Sequence, residues 1–196
     1  MENDDRIFGN FLVEFFRRPG VIGAIHPSSR HLARRMIQPI NFETAQTIVE
    51  FGPGTGVFTR YILDRKRPDT SFFALELNDS MYRVMLDRFP HVAVYHDSAA
   101  RIKDYLSKHQ QTGVDAVVSG LPWAAFTDSL QDEILTPTLE ALHPGGFFSS
   151  FAYLQGLLLP AGLRFRKKLH SYFSQVRISP VTWRNLPPAF VYWCTK

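Results

Sequence analysis

The chain has 196 residues, 45% hydrophobic and 20% charged, which suits one compact domain and excludes a disordered, collagen-like or disulfide-scaffold protein. A single cysteine, Cys194, rules out an internal disulfide and a cysteine-based zinc site and favours a reducing compartment, the cytoplasm. The net charge of +4 conceals a segregation: residues 1–40 carry 6 basic and 4 acidic side chains, residues 41–140 carry 9 and 14, and residues 141–196 carry 7 and none. Basic ends around an acidic middle attract phosphate, whether on nucleic acid or on an anionic membrane surface.

The opening Met1 to Asp5 is acidic and lacks the positive start of a secretory signal, so no export is expected. Beyond it, Ile7, Phe8, Phe11, Leu12, Phe15 and Phe16 occupy half of a helical circumference while Arg6, Asn10, Glu14 and Arg17 occupy the other half. Pro19-Gly20 closes this amphipathic helix. At about a dozen residues such a helix is marginal alone in water and needs a surface, either the protein's own core or a bilayer. In the bilayer case Phe8, Phe11, Leu12 and Phe15 lie among acyl chains, with Arg17 and Arg18 near lipid phosphates. Pro27-Ser28-Ser29 then opens a second amphipathic helix, with Ser28 as its cap, Leu32, Ala33, Met36 and Ile37 inward, and Arg30, Arg34 and Arg35 outward; Pro39 closes it.

From Thr47 onward strands and helices alternate. Strands are predicted over 47–51, 71–77, 91–95, 116–119, 146–151, 175–181 and 189–194, and helices over 57–65, 79–88, 99–107, 129–142 and 163–173. Such alternation predicts a largely parallel sheet covered on both faces. The uncharged run 141–163 has the length of a membrane span but contains Pro144, Gly145, Gly146, Gly156, Pro160 and Gly162, which would leave backbone groups unpaired in lipid. No transmembrane helix is expected, so any membrane contact is peripheral.

The most informative stretch is Glu50-Phe51-Gly52-Pro53-Gly54-Thr55-Gly56, after a strand and before a helix. Gly52 and Gly54 permit a tight turn and close approach of a ligand, and Gly56 lets the helix pack against the strand, with Glu50 supporting the loop. The loop lacks the closing lysine and Ser/Thr of a triphosphate-binding loop. Glu76, 20 residues beyond Gly56 at the end of the next strand, can accept two ribose hydroxyls, the arrangement of a nucleoside crevice. No metal site is expected.

These residues, together with Glu76-Leu77-Asn78, His96-Asp97-Ser98-Ala99 and Ser119-Gly120-Leu121-Pro122-Trp123, resemble the ordered motifs of class I S-adenosylmethionine-dependent methyltransferases over about residues 45–196. The resemblance implies an α/β, Rossmann-like doubly wound sheet of seven strands, mostly parallel with a C-terminal antiparallel hairpin, preceded by N-terminal amphipathic helices. It implies S-adenosylmethionine as cofactor and S-adenosylhomocysteine as product. The cofactor-binding set is then Ser28, Glu50, Gly52, Pro53, Gly54, Thr55, Gly56, Glu76, Leu77, Asp97, Ser98, Ala99 and Gly120, with Asp97 reading the adenine amino group. A narrower resemblance covers nearly the whole chain. The amphipathic start, Gly23-Ala24-Ile25-His26-Pro27-Ser28-Ser29, the glycine loop and the Gly120 turn are similar to the bacterial phospholipid N-methyltransferases, which methylate phosphatidylethanolamine. Residues 1–40 would form a membrane and substrate cover, and 41–196 the methyltransferase domain.

Ribosomal RNA adenine dimethylases share much of this pattern, but where they resemble Asn-Leu-Pro-aromatic this chain has Gly120-Leu121-Pro122-Trp123. Without that amide a planar aromatic amine would not be polarised, whereas an aliphatic amine is nucleophilic once deprotonated. Nucleic acid is therefore an unlikely partner. Transfer to a soluble small-molecule amine, or a non-catalytic role in membrane binding, competes with the lipid enzyme. In-line attack on a sulfonium methyl needs proximity more than a covalent intermediate. His26 and Tyr153 are the candidate proton acceptors. Trp123 could hold a cationic headgroup or wall the crevice. Tyr153, Arg164, Arg166 and Lys167 are the further candidates for the lipid substrate, with Lys168 beside them. The expected partner is an anionic membrane surface on the cytoplasmic side, and no protein partner is implied.

Overall fold

The computed structural model describes residues 28–196. The amphipathic stripe with Phe8, Phe11, Leu12, Phe15, Arg17 and Arg18, and the candidate base His26, lie outside the described residues.

Helix α1 (Arg30–Met36) is capped by Ser29 rather than Ser28: the Ser29 hydroxyl accepts from the Leu32 amide at 3.2 Å. Next come β1 (Thr47–Phe51), α2 (Val57–Leu63), β2 (Ser71–Leu75), α3 (Asp79–Arg88), β3 (Ala93–Tyr95), α4 (Ile102–Lys108), β4 (Val114–Ser119) and α5 (Asp128–Ala141). The chain closes with β5 (Leu142–Tyr153), α6 (Pro160–Tyr172), β6 (Gln175–Ile178) and β7 (Ala189–Thr195). The seven strands form one sheet in the order β3-β2-β1-β4-β5-β7-β6. Only β7 runs against its neighbours, which makes the expected C-terminal hairpin.

Each strand of the sheet's centre is covered on both faces, as its largely apolar composition demands. Val49, Phe51, Val117 and Phe148 face α4, α5 and α6 through Ile102, Leu106, Ile134, Leu135, Phe165 and Leu169. On the opposite face Ile48, Ala116, Val118 and Val191 meet Leu32 and Met36 of α1 and Phe58 and Ile62 of α2. Met85 of α3 packs with Ala74 and Val94.

Several predicted boundaries shift by a few residues, and three of the differences are structurally informative. Strand β5 starts at Leu142 because the His143–Gly146 stretch is absorbed as an irregularity in the strand: Val114 pairs with Leu142 but Ala116 pairs with Phe147. The segment after Asp97 begins as a 3-10 turn, Ala99–Arg101, before α4. Strand β6 ends at Ile178, and beyond it only Thr182 rejoins β7, bridging to Ala189. Among the described residues no helix is long and apolar enough to cross a membrane.

Candidate active site

Strand β1 has β2 on one side and β4 on the other, so the loops leaving β1 and β4 diverge and open a crevice at the C-terminal edge of the sheet. Both loops are held by ladder-like bonds: the Gly52 amide donates to Leu75 O and the Gly120 amide to Phe51 O, each at 2.8 Å. In the glycine loop Gly54 has φ 56°, a left-handed conformation that side chains disfavour, and nothing lies within 4 Å of where its Cβ would be. A ligand can approach the backbone there. The Gly54 amide donates to Glu76 Oε2 at 3.0 Å, while Glu76 Oε1 accepts from the Asn78 amide at 2.9 Å. Glu76 thus joins the glycine loop to the start of α3 and keeps lone pairs on both oxygens. It is buried, and burial raises its pKa above the ordinary carboxylate value against the pull of those amides. Gly56 is packed against Phe89 after α3 rather than against a strand, since a Cβ there would meet the Phe89 ring.

Glu50 does not touch the glycine loop. Fully buried on β1, it accepts from the Thr59 hydroxyl on α2 at 2.6 Å through Oε2, and its Oε1 has no hydrogen-bond partner. Burial raises its pKa to about 8, with the Thr59 bond opposing and Glu76 adding to the rise. A group protonated more firmly in the folded state stabilises the fold below its unfolded pKa, and that contribution is lost as pH rises toward 8. The expected result is that unfolding free energy falls between about pH 5 and pH 8, at a limiting slope near 1.4 kcal/mol per pH unit from this group. Glu76, also raised, adds a slope of the same sign. Glu50→Gln should remove the Glu50 part, so the stability difference between variant and parent grows with pH. Urea titrations of both proteins across that range test it; a difference independent of pH would show that Glu50 is ionised throughout.

The wall opposite the glycine loop follows β3. Asp97 Oδ1 accepts from the Ser98 amide at 2.8 Å, and Oδ2 accepts from Arg101 at 2.8 Å and from the Tyr105 hydroxyl at 2.7 Å. Ser98 caps the following turn through the Ala100 amide, and Ala99 is buried beside it. Gly52, Glu76, Leu77, Asp97, Ser98, Ala99 and Gly120 line one cleft with Leu121, Pro122 and Ile134. The cleft is narrow, with about 30 Å³ of free volume. The residues suit a nucleoside carrying a positive charge: an open glycine backbone and a buried carboxylate with spare lone pairs. Pro53 and Thr55 sit in the loop but do not line the cleft, and Ser28 precedes the cap of α1, on the other face of the sheet's cover.

Gly120 has a steric role. A Cβ there would stand 2.5 Å from Gly52 O, so this backbone leaves no room for the asparagine found in base-amine enzymes. Trp123 is not available for a headgroup, which corrects that expectation. It is 2% exposed, its indole donates to Ser119 Oγ at 2.9 Å, and its ring stacks on Phe165 at 5.2 Å. Tyr153 ends β5 on the α1–α2 side, ring edge against Phe151, and burial raises its phenol pKa. Arg164, Arg166 and Lys167 are exposed on α6, whereas Lys168 is paired with Asp132 at 2.8 Å. Helix α6 packs on the Trp123–Ala125 turn.

Sequence reasoning missed Thr59, Arg101 and Tyr105. The last two stand four and eight residues beyond Asp97, helical spacing that places them on its face. Thr59 shares the inward face of α2 with Phe58 and Ile62, a periodicity visible in the sequence.

No family model matches the chain. It is 32% identical over 187 residues to an ornithine lipid N-methyltransferase of Singulisphaera acidiphila, covering 94% of this chain and 93% of that protein. An O-methyltransferase from Bacillus cereus in complex with S-adenosylhomocysteine superposes with a TM-score of 0.68 at 11% identity, over 96% of this chain and 90% of that one. Precorrin-6y C5,15-methyltransferase from Geobacter metallireducens gives 0.66 at 14% identity, over 90% and 93%. At such identities the solved structures establish the fold alone.

Proposed function

Because the chain belongs to the lipid N-methyltransferases, within the class I S-adenosylmethionine-dependent methyltransferases, we propose that its acceptor is the amine of phosphatidylethanolamine, followed by its mono- and dimethyl forms. The cofactor is S-adenosylmethionine, which supplies a sulfonium methyl group to the amine and leaves as S-adenosylhomocysteine. In this reading Glu76 accepts the ribose hydroxyls on its spare lone pairs, Asp97 reads the adenine amino group beside Ser98 and Ala99, and the Gly52–Gly56 backbone lies along the methionine part. Catalysis rests on holding the amine in line with the methyl group in a crevice that excludes water, with the amine's proton passing to water or to His26. Residues 6–18 would lie along the bilayer, on the cytoplasmic side.

The observation that carries this reading is Gly120, where the closeness of Gly52 O denies the side chain that a base amine requires, in a chain whose relative over 94% of its length acts on a lipid amine. That relative's name favours a second reading, in which the acceptor is the free amine of an ornithine lipid. Vesicles of phosphatidylethanolamine, vesicles of ornithine lipid and an unmodified ribosomal RNA hairpin, each incubated with protein and labelled cofactor, separate the readings by mass spectrometry. The expected product is methylated phosphatidylethanolamine. Faster transfer to ornithine lipid selects the second reading, and transfer to RNA overturns both.

A further inference from the structure

A second and larger concavity lies away from the cofactor crevice, between α1 and the connection from β6 to β7. It encloses about 640 Å³ and is lined by His31, Arg34 and Arg35 of α1, by Arg65 after α2, and by Thr182 and Arg184 of the connection. No carboxylate lines it, and among the described residues none of its four arginines forms an ion pair. The positive field is felt inside the cleft: desolvation and then Arg184, Arg30, Arg34 and Arg35 lower the pKa of His31. Guanidinium groups that lack an ionic partner are the donor set for a phosphate oxygen.

The walls are built to stay in register. Asn185, buried, accepts from the Ser29 amide at 2.9 Å and donates to Pro187 O at 2.7 Å, fastening the connection to the start of α1. The same connection exposes two large apolar side chains, Trp183 at 71% and Leu186 at 72%. Its far end, Ala189, pairs with Tyr153 at the end of β5, so it stands on the edge of the sheet where the glycine loop and Gly120 also lie. Guanidinium groups behind a projecting tryptophan and leucine match the layers of a bilayer, with phosphate outside and acyl chain beneath.

We propose that this cleft binds the phosphate of an anionic phospholipid, with Trp183 and Leu186 entering the interface, and so turns the crevice edge of the sheet toward the membrane. The proposal rests on the reading of an enzyme that works at a lipid surface, and it adds to it a docking lipid distinct from the methylated one. The positive cleft favours a net negative headgroup over zwitterionic phosphatidylethanolamine, whose own ammonium would oppose the arginines.

The test uses the full chain and phosphatidylcholine vesicles with and without phosphatidylglycerol. Replacing Arg34→Gln together with Arg184→Gln should lower affinity for the phosphatidylglycerol vesicles roughly tenfold to thirtyfold, at about a tenfold change per 1.4 kcal/mol and about 1 kcal/mol per basic residue at such a surface. Cofactor affinity should not change. Brominated lipid should quench the parent's tryptophan fluorescence. Trp183→Phe should remove most of that quenching, because Trp123 is buried and the Trp193 indole is turned inward onto Arg35 O. Equal binding of the double variant and the parent, or quenching that survives Trp183→Phe, overturns the proposal. So does release of the parent from phosphatidylglycerol vesicles by inorganic phosphate at constant ionic strength, which would mark a site for soluble anions. Methylation of phosphatidylethanolamine in neutral detergent micelles is measured alongside; its absence defeats the acceptor assignment, while the vesicle result judges the cleft separately.

Discussion

Trp123→Ala should destabilise the fold by about 3–5 kcal/mol, the range for emptying a buried aromatic site. The indole fills the space between β4, β5 and α6: it stacks on Phe165, meets Phe126 and Phe148 edge-on, and spends its only donor on Ser119. Removing it leaves a cavity under α6 and leaves Ser119 Oγ at the crevice turn with only its 3.4 Å bond from the Leu121 amide. Since domains are stable by about 5–15 kcal/mol, this variant stands at the edge of folding. Trp123→Phe is the companion that keeps the stacking and loses the hydrogen bond, worth about 1 kcal/mol. Urea denaturation of both measures the effect. A Trp123→Ala protein as stable as the parent but poor at transferring methyl groups to lipid would return the tryptophan to a headgroup role.

Glu76→Ala should weaken S-adenosylmethionine binding tenfold to a hundredfold, about 2–3 kcal/mol for truncating one partner of buried, charge-assisted hydrogen bonds. The carboxylate has two duties that the substitution ends together. It holds the Gly54 and Asn78 amides, and so sets the distance between the glycine loop and α3; it also presents the lone pairs proposed for the ribose. Isothermal calorimetry at a temperature where the variant is folded reads the affinity, and circular dichroism verifies the fold. Glu76→Gln is informative because its amide nitrogen must face one of two backbone donors, so it too should bind weakly. Unchanged affinity in both variants would remove Glu76 from the cofactor site.

Much of the architecture was legible in the chain because the signals are local. Apolar runs such as Thr47–Phe51, closed by glycine and proline, are strands buried on both faces, and the α2 pattern of Phe58 and Ile62 marks a helix face. The glycine loop followed by Glu76 located the crevice, since a tight turn and the acid at the next strand's end are separated by one βαβ crossover. Capping was legible only to within a residue: Ser28 and Ser29 are equal in type, and the Asn185 bond to the Ser29 amide favours the second.

What folding alone decided is the partner of each side chain. Glu50 reads as a support for the glycines next to it, yet β-strand alternation turns it to the face of α2 and the Thr59 hydroxyl. Trp123 follows the crevice motif, but α6, some forty residues later, brings Phe165 over its ring and takes it out of the site. The arginine cleft joins α1 to a connection more than 140 residues away, held by Ser29 and Asn185. Periodicity and turn chemistry act over a few residues and are written in the chain; which surfaces meet is settled by burying apolar area between distant elements, and a polar side chain's role follows from the neighbours that burial assigns it.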